Sequence, residues 1–201
     1  MNIGLYFGTF NPIHVGHLII ANHLAQEKEL DQIWLIVSPQ NPLKAKNTLL
    51  ADFHRLNLVK IAVEDNPKLK ASDIEFSLTK PSYTVNTLAH IKEKYPNDTF
   101  SLILGEDNLR NFHKWFNFEY ILKNHKIFVF PRNLTQQETI EDLVLPNEFI
   151  KNHPNIHLCE DTPLMKISSS FIREAIKNGK DVRYLLSEPV FEYVDEMNFY
   201  K

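Results

Sequence analysis

Short apolar runs alternate with longer amphipathic stretches along most of this chain, a pattern that admits few folds beyond a parallel sheet covered by helices. Ile3 to Phe7 reads as a first strand, and Leu18, Ile19, Ala21, Leu24 and Ala25 follow at helical spacing. Ile33, Trp34, Leu35, Ile36 and Val37 then make a second strand, apolar on both faces and ended by Ser38 and Pro39. Together these form one complete βαβ unit. The spacing next predicts a helix over 52–65 (Phe53, Leu56, Val59, Val63), a strand from Lys70 to Phe76 and a turn at Pro81. Beyond it come a helix from Tyr83 to Tyr95, a core strand from Phe100 to Leu104 closed by Gly105, and a strand from Ile127 to Phe130 stopped by Pro131. Asn133 to Pro154 is polar and irregular, read as a surface excursion carrying a short helix. A strand (Ile156 to Cys159), a helix from Ser170 to Asn178 with Gly179 as its stop, and a last helix from Pro189 to Tyr200 complete the chain.

At 201 residues, 43% of them hydrophobic, the chain is large enough for one well-filled domain spanning 1–201, with the helices from about 168 onward packing as a C-terminal subregion. Lys and Arg total 22 against 25 Asp and Glu. This slightly acidic balance argues against bulk attraction to nucleic acid or to an anionic membrane, so any anionic ligand must be caught locally. No basic leader precedes Ile3 and no stretch of 18 apolar residues occurs, which predicts a cytosolic protein; a homo-oligomer is compatible with the sequence. Cys159 stands alone, excluding an internal disulfide or a cysteine zinc cage, and it reads as a packed, inert thiol.

The segment Gly8, Thr9, Phe10, Asn11, Pro12, Ile13, His14, Val15, Gly16, His17 joins the first strand to the first helix. In an open parallel sheet, ligands bind beyond the carboxyl ends of the strands, so a site belongs here. Gly8 would let backbone approach a phosphate, Gly16 would keep the helix entrance narrow, and the helix N-terminus favours an anion. His14 and His17, three apart, lie on one face and can address one phosphate. Imidazole donates a hydrogen bond in either protonation state and gains charge readily near neutral pH. Taken alone, the pair could equally be polar loop residues or zinc ligands.

Ile167, Ser168, Ser169, Ser170, Phe171, Ile172, Arg173 opens a late helix. One serine is explained by capping. Arg173, in what reads as the first turn, opposes the helix dipole unless an anion binds beside it, and hydroxyls, free N–H groups and a guanidinium converging there would make a phosphate clamp. An ordinary cap beside an exposed arginine is the plainer alternative.

The two segments resemble the HxGH and SSTxIR marks of the nucleotidyltransferase superfamily, with Ser170 where Thr is usual. Within it the whole chain most resembles bacterial nicotinate-nucleotide adenylyltransferases, whose opening pattern is GGTFDPIHxGH; here Phe7 replaces the first Gly and Asn11 the Asp. Pro81 to Leu88 resembles the family's SYTxDTL segment, with Asn86 for Asp, and Gly105 to Trp115 resembles its GxDxLxxFxxW stretch. The resemblance implies a Rossmann-like doubly wound parallel sheet flanked by helices, of the nucleotidyltransferase type. It also implies transfer of AMP from ATP to nicotinate mononucleotide, giving nicotinate adenine dinucleotide and pyrophosphate in NAD biosynthesis. By the same resemblance, His14, His17 and Arg173 are catalytic. Gly8, Thr9, Phe10, Gly16, Gly105, Asp107, Ile167, Ser168, Ser169 and Ser170 bind ATP, with Asp107 on its ribose. Tyr83, Thr84, Trp115 and Lys44 hold the pyridine nucleotide, Trp115 by stacking. Magnesium accompanies ATP, held by phosphates and water and not by protein side chains.

Residue chemistry leaves some of these roles open. Trp115 stands among Phe112, Phe116, Phe118 and Tyr120, a spacing as suited to a core as to a ligand platform. Asp107 and Thr84 could each be only a helix cap, and Lys44 only a solvated loop cation. The competing functions are transfer to nicotinamide mononucleotide or phosphopantetheine, use of CTP in place of ATP, nucleotide sensing without catalysis, and single-stranded RNA binding through Arg110, Phe112, Lys114, Trp115 and Phe116.

Overall fold

The protein is described by a computed structural model over residues 1–27, 29–39, 49–132 and 148–201. Six parallel strands form one sheet: β1 (Asn2–Gly8), β2 (Gln32–Val37), β3 (Leu69–Ser72), β4 (Thr99–Gly105), β5 (Ile127–Phe130) and β6 (Ile156–Leu158), in the order β3-β2-β1-β4-β5-β6. The chain thus runs outward from β1 to β3, crosses back to β4 beside β1, and runs outward again to β6. The β1/β4 seam is the switch point where such sheets bind ligands. Helices α1 (Val15–Glu27), α2 (Asp52–Val63), α3 (Thr84–Lys94), α4 (Glu106–Arg110), α5 (Phe118–Asn124), α6 (Glu148–Lys151), α7 (Ser169–Lys177) and α8 (Glu188–Glu196) cover it.

Alternation along the strands sends successive side chains to opposite faces, and each face has its own core. Tyr6, Leu35, Val37 and Ile103 meet Leu24 of α1, Val59 of α2, Ile172 of α7 and Val190 and Val194 of α8 in one buried cluster. Leu5, Trp34, Ile36, Leu102 and Leu104 meet Leu88 and Ile91 of α3 and Ile121 of α5 in the other. The last helices therefore belong to the same core as the first βαβ unit. Cys159 is buried, its thiol pointing to the His157 carbonyl oxygen 3.6 Å away.

Two element ends and two short helices differ from the sequence reading. The strand expected to reach Phe76 stops at Ser72; the Ile74 N–H turns to Ser72 Oγ, the Phe76 N–H bonds the Asp73 carbonyl, and Ile74–Ser77 becomes a single 3-10 turn. The last helix ends at Glu196 and not at Tyr200, because Asn198 takes a positive φ of 54° and the Phe199 N–H returns to the Val194 carbonyl. Helices α4 and α5 were not anticipated, being too short for an apolar period to show. Of the excursion predicted over 133–154, residues 133–147 lie outside the described part, and α6 is its short helix.

Among the described residues, one charged side chain, that of Arg55, is completely buried. Arg55 projects from α2, on the same side as Leu56 and Val59, toward the carboxyl ends of β1 and β2. Its five N–H donors all find acceptors: Nε bonds the Leu50 carbonyl (3.0 Å), Nη1 those of Thr9 (2.6 Å) and Ser38 (2.9 Å), and Nη2 that of Pro39 (3.4 Å) and Asp52 Oδ1 (2.6 Å). The loops after β1 and β2 and the approach to α2 are thereby joined through one planar group. Arg55→Met fills similar volume but strands these acceptors, and it is expected to lower unfolding free energy by about 3 kcal/mol or more, read as a shifted urea midpoint at constant slope.

Candidate active site

Beyond the ends of β1 and β4 lies a cavity of about 620 Å³, a volume suited to a nucleotide-sized ligand. Every residue that the sequence assigns to ATP, to the pyridine nucleotide or to catalysis lines it, except Lys44, which lies outside the described residues. Loops from four separate points of the chain meet here because each follows the carboxyl end of a strand or opens a helix on that edge of the sheet.

The first loop is the floor. Phe10 adopts a positive φ of 44° and tucks its ring over Gly8, where a Cβ would fall 2.8 Å from the ring. The absent side chain at Gly8 thus makes room for Phe10. Gly16 does the same for His14, whose imidazole would lie 3.1 Å from an added Cβ. His14 and His17 stack, ring centroids 3.7 Å apart at 26°, and Phe10 meets His17 edge-on at 5.1 Å. The His14 backbone N–H donates to His17 Nδ1 at 3.3 Å, which places the neutral His17 proton on Nε2. His14 is 5% exposed, with Nδ1 buried and without a partner. Burial, reinforced by the Arg132 charge, lowers its pKa from 6.5 to about 3. His14 is therefore neutral at physiological pH. The expectation that both imidazoles gain charge readily fails for this one, since it is desolvated beside a cation.

Helix α7 forms one wall, with Ile167 half-buried just before it. Ser168 is its cap, accepting from the Phe171 N–H at 3.2 Å. Ser169 instead donates to the Pro12 carbonyl (2.9 Å), and Arg173 donates to the Asn11 carbonyl (2.7 Å) and to Ser170 Oγ (3.2 Å). The two segments singled out in sequence are thus bonded directly to each other. A plain cap with a solvated arginine does not describe this helix start.

At the opposite wall Gly105 caps α4, so Asp107 is not the cap but sits in the first turn, with Arg132 Nη1 2.6 Å from its Oδ2 and its Oδ1 buried without a partner. Thr84 is likewise inside α3, whose cap position is Tyr83. Tyr83 is partly exposed and faces Phe116 at 5.0 Å; Trp115 is half-buried, packed on the buried Phe112 at 5.3 Å and open to the cavity. Trp115 therefore serves as core and as cavity wall together.

The comparisons with known proteins agree. A family model described as cytidylyltransferase-like matches residues 5–175. A Flavobacterium psychrophilum protein named probable nicotinate-nucleotide adenylyltransferase is 59% identical over 201 residues, the whole of both chains. A Bacteroides thetaiotaomicron protein of the same name is 42% identical over 196 residues, 98% of this chain and 92% of the other. The chain belongs to the nicotinate-nucleotide adenylyltransferase family. Its fold is shared by the Plasmodium falciparum nicotinic acid mononucleotide adenylyltransferase complexed with NaAD, at 22% identity and a TM-score of 0.77 over 99% of this chain and 97% of that one. The doubly wound nucleotidyltransferase-type sheet is thus as the sequence implied.

Three residues of this family member's cavity escaped the sequence reading. Arg132 follows β5 as Thr9 follows β1, and the same strand-end reasoning could have found it past Pro131. Asn11, noted only as a departure from the family pattern, is 3% exposed and accepts through Oδ1 from the Leu50 N–H (3.2 Å) and the Tyr200 hydroxyl (2.8 Å). Glu75 is 2% exposed; Thr87 Oγ1 donates to its Oε1 at 2.7 Å, Oε2 has no partner, and burial raises its pKa against the opposing bonds from Thr87 and Ser38. In a strand running to Phe76, Glu75 would have alternated outward, so the early end of β3 concealed it.

His14 generates a pH dependence of stability. Its folded pKa lies below its usual value, so between about 3 and 6.5 the unfolded chain binds the extra proton and stability falls as pH drops. The contribution is fully present above pH 6.5 and is reduced by about 2 kcal/mol at pH 5. Urea unfolding of wild type and His14→Gln at pH 7.5 and 5 should show the variant losing less on acidification by about that amount; equal losses would contradict it.

Proposed function

We infer that this chain transfers an adenylyl group from ATP to nicotinate mononucleotide, releasing pyrophosphate and forming nicotinate adenine dinucleotide, and that it does so in the cytoplasm. The observation that carries this reading is the convergence of the histidine loop, the start of α7 and the Tyr83, Thr84 and Trp115 wall on one cavity at the sheet's switch point. The relatives' names supply the identity of the acceptor.

The acceptor's phosphate oxygen attacks the α-phosphorus of ATP; the new P–O bond forms as the bond to the β-phosphate oxygen breaks. The attacking oxygen is already ionised at neutral pH, so no general base is needed, in keeping with a His14 whose lowered pKa makes it a weak base near pH 7. The residues supply alignment of two anions and stabilisation of charge on the equatorial and leaving oxygens. His14, as a neutral imidazole, and His17 donate to the α-phosphate. Arg173 and the N–H groups at the start of α7 hold the departing phosphates, with Ser169 and Ser170 shaping that helix start. Asp107, one oxygen engaged by Arg132, offers the other to the ATP ribose. Tyr83, Thr84 and Trp115 receive the pyridine nucleotide.

Magnesium fits this arrangement as a companion of the triphosphate. Among the described residues no three His, Cys, Asp or Glu side chains form a metal-sized group, and the donors nearest the histidine loop are imidazoles, hydroxyls and a guanidinium. A hard cation would take its oxygens from phosphate and water there, and would supply neutralisation of the leaving pyrophosphate.

Pyrophosphate release measured with ATP and magnesium, offering nicotinate mononucleotide, nicotinamide mononucleotide and phosphopantetheine separately, tests the reading. The first acceptor should give the highest kcat/KM. Turnover with phosphopantetheine alone would overturn the choice of acceptor, and ATP binding with no acceptor used would point to a sensor. His17→Ala should reduce kcat by roughly two orders of magnitude, the scale of losing one transition-state donor.

A further inference from the structure

Beyond α8 the chain reverses at Asn198 and lays its last aromatic residues back across the molecule. Phe199 packs on His54 (4.7 Å) and Tyr193 (5.8 Å), and Tyr200, with a positive φ of 67°, directs its hydroxyl to Asn11 Oδ1 at 2.8 Å. A non-glycine residue holds that backbone conformation only where its surroundings fix it. Asn11 is the hub of the contact: its side-chain oxygen also accepts from the Leu50 N–H, and its carbonyl accepts from Arg173. Phe10, the residue before it, is likewise in a positive-φ conformation, and His14 and His17 follow within two turns of chain. The Tyr200 ring is half-buried; desolvation pushes its ionisation well above the ordinary tyrosine value although Arg173 and Arg55 pull it down, so the phenol remains a donor.

We propose that Tyr200 is a positioning residue for adenylyl transfer: its hydroxyl, acting through Asn11, fixes the histidine loop against Arg173, making the reversed turn after α8 part of the catalytic apparatus. The inference rests on the function inferred above for this cavity. Asn11 suits the task because a neutral amide accepts these bonds without neutralising Arg173, whose charge stays available to phosphate. Ser169 and Arg173 hold the loop by its backbone carbonyls and Arg55 by that of Thr9, whereas Tyr200, with the Leu50 N–H, engages it through the Asn11 side chain.

Tyr200→Phe removes one hydroxyl and keeps the ring. It should lower kcat about tenfold, with KM for ATP changed less than threefold, because the lost bond aligns the reacting groups more than it binds substrate. In an Asn11→Ala background the same change should cost nothing further. Tyr193→Phe, which removes a hydroxyl of α8 bonded to His54 at 3.0 Å, serves as the control and should keep wild-type kcat. Amide exchange supplies a readout independent of turnover: residues 9–17 of Tyr200→Phe should exchange at least tenfold faster, with β1 and β4 unchanged. A Tyr200→Phe kcat within twofold of wild type, losses that add in the double variant, or unchanged loop exchange would each overturn the proposal. If wild type proves to use another acceptor, the functional reading fails while the same rate ratios are read with that acceptor; if it uses none, the exchange result decides.

Discussion

A guanidinium held entirely away from water is costly unless every donor finds an acceptor, and Arg55 meets that condition with acceptors drawn from the loop after β1, both ends of the β2–α2 connection and the first turn of α2. Four of its five partners are backbone carbonyls, groups that themselves need donors when buried. The charge and the loops therefore satisfy each other, and neither is stable there alone. Strand order sets which loops lie at this edge, but strand pairing says nothing about their conformation past the last ladder bond. Arg55 supplies what the sheet cannot, by fixing Thr9 after β1 and Ser38 and Pro39 after β2 relative to α2.

The same device recurs across the histidine loop. The carbonyls of Thr9, Asn11 and Pro12 are held by Arg55, Arg173 and Ser169, donors from α2 and α7. A loose carbonyl at the floor of an anion site would repel the ligand; engaged by donors behind the loop, these oxygens are taken out of contention. The side chains on the loop are fixed by sterics instead. Phe10 fits only because position 8 lacks a Cβ, and the stacked histidines fit only because position 16 does. This explains why two glycines and two histidines occur together in so short a segment better than flexibility does.

Much of this was legible in the sequence. The apolar period gave five of six strands nearly to their ends, and the family resemblance collected a residue set that the fold brings to one cavity. What stayed hidden has identifiable causes. Arg55 sits on the apolar face of α2, three residues from Leu58 and four from Val59, where a periodic reading registers the neighbours and passes over the charge. Glu75 was hidden by a strand that ended early, and Tyr200 by a helix drawn four residues too long past an asparagine able to adopt positive φ. The last two misses each concern a chain reversal settled by one or two hydrogen bonds, below the resolution of any periodicity.

The electrostatics of the cavity divide between two kinds of donor. The chain carries a net charge of −3, so attraction to a polyphosphate must come from where its cations stand. Arg132 and Arg173 line the cavity as lasting charges, while His14 beside them is kept neutral by burial and by Arg132 itself. Charges attract a triphosphate in any geometry, bound or reacting. A neutral N–H locked in place by stacking discriminates by direction, and only direction separates the α-phosphate before attack from the same group at the transition state. On the inferred reaction, the arginines account for capture and the rigid imidazole pair for rate, and the rigidity of that pair traces back through Gly16, Asn11 and the loop carbonyls to the buried guanidinium of Arg55.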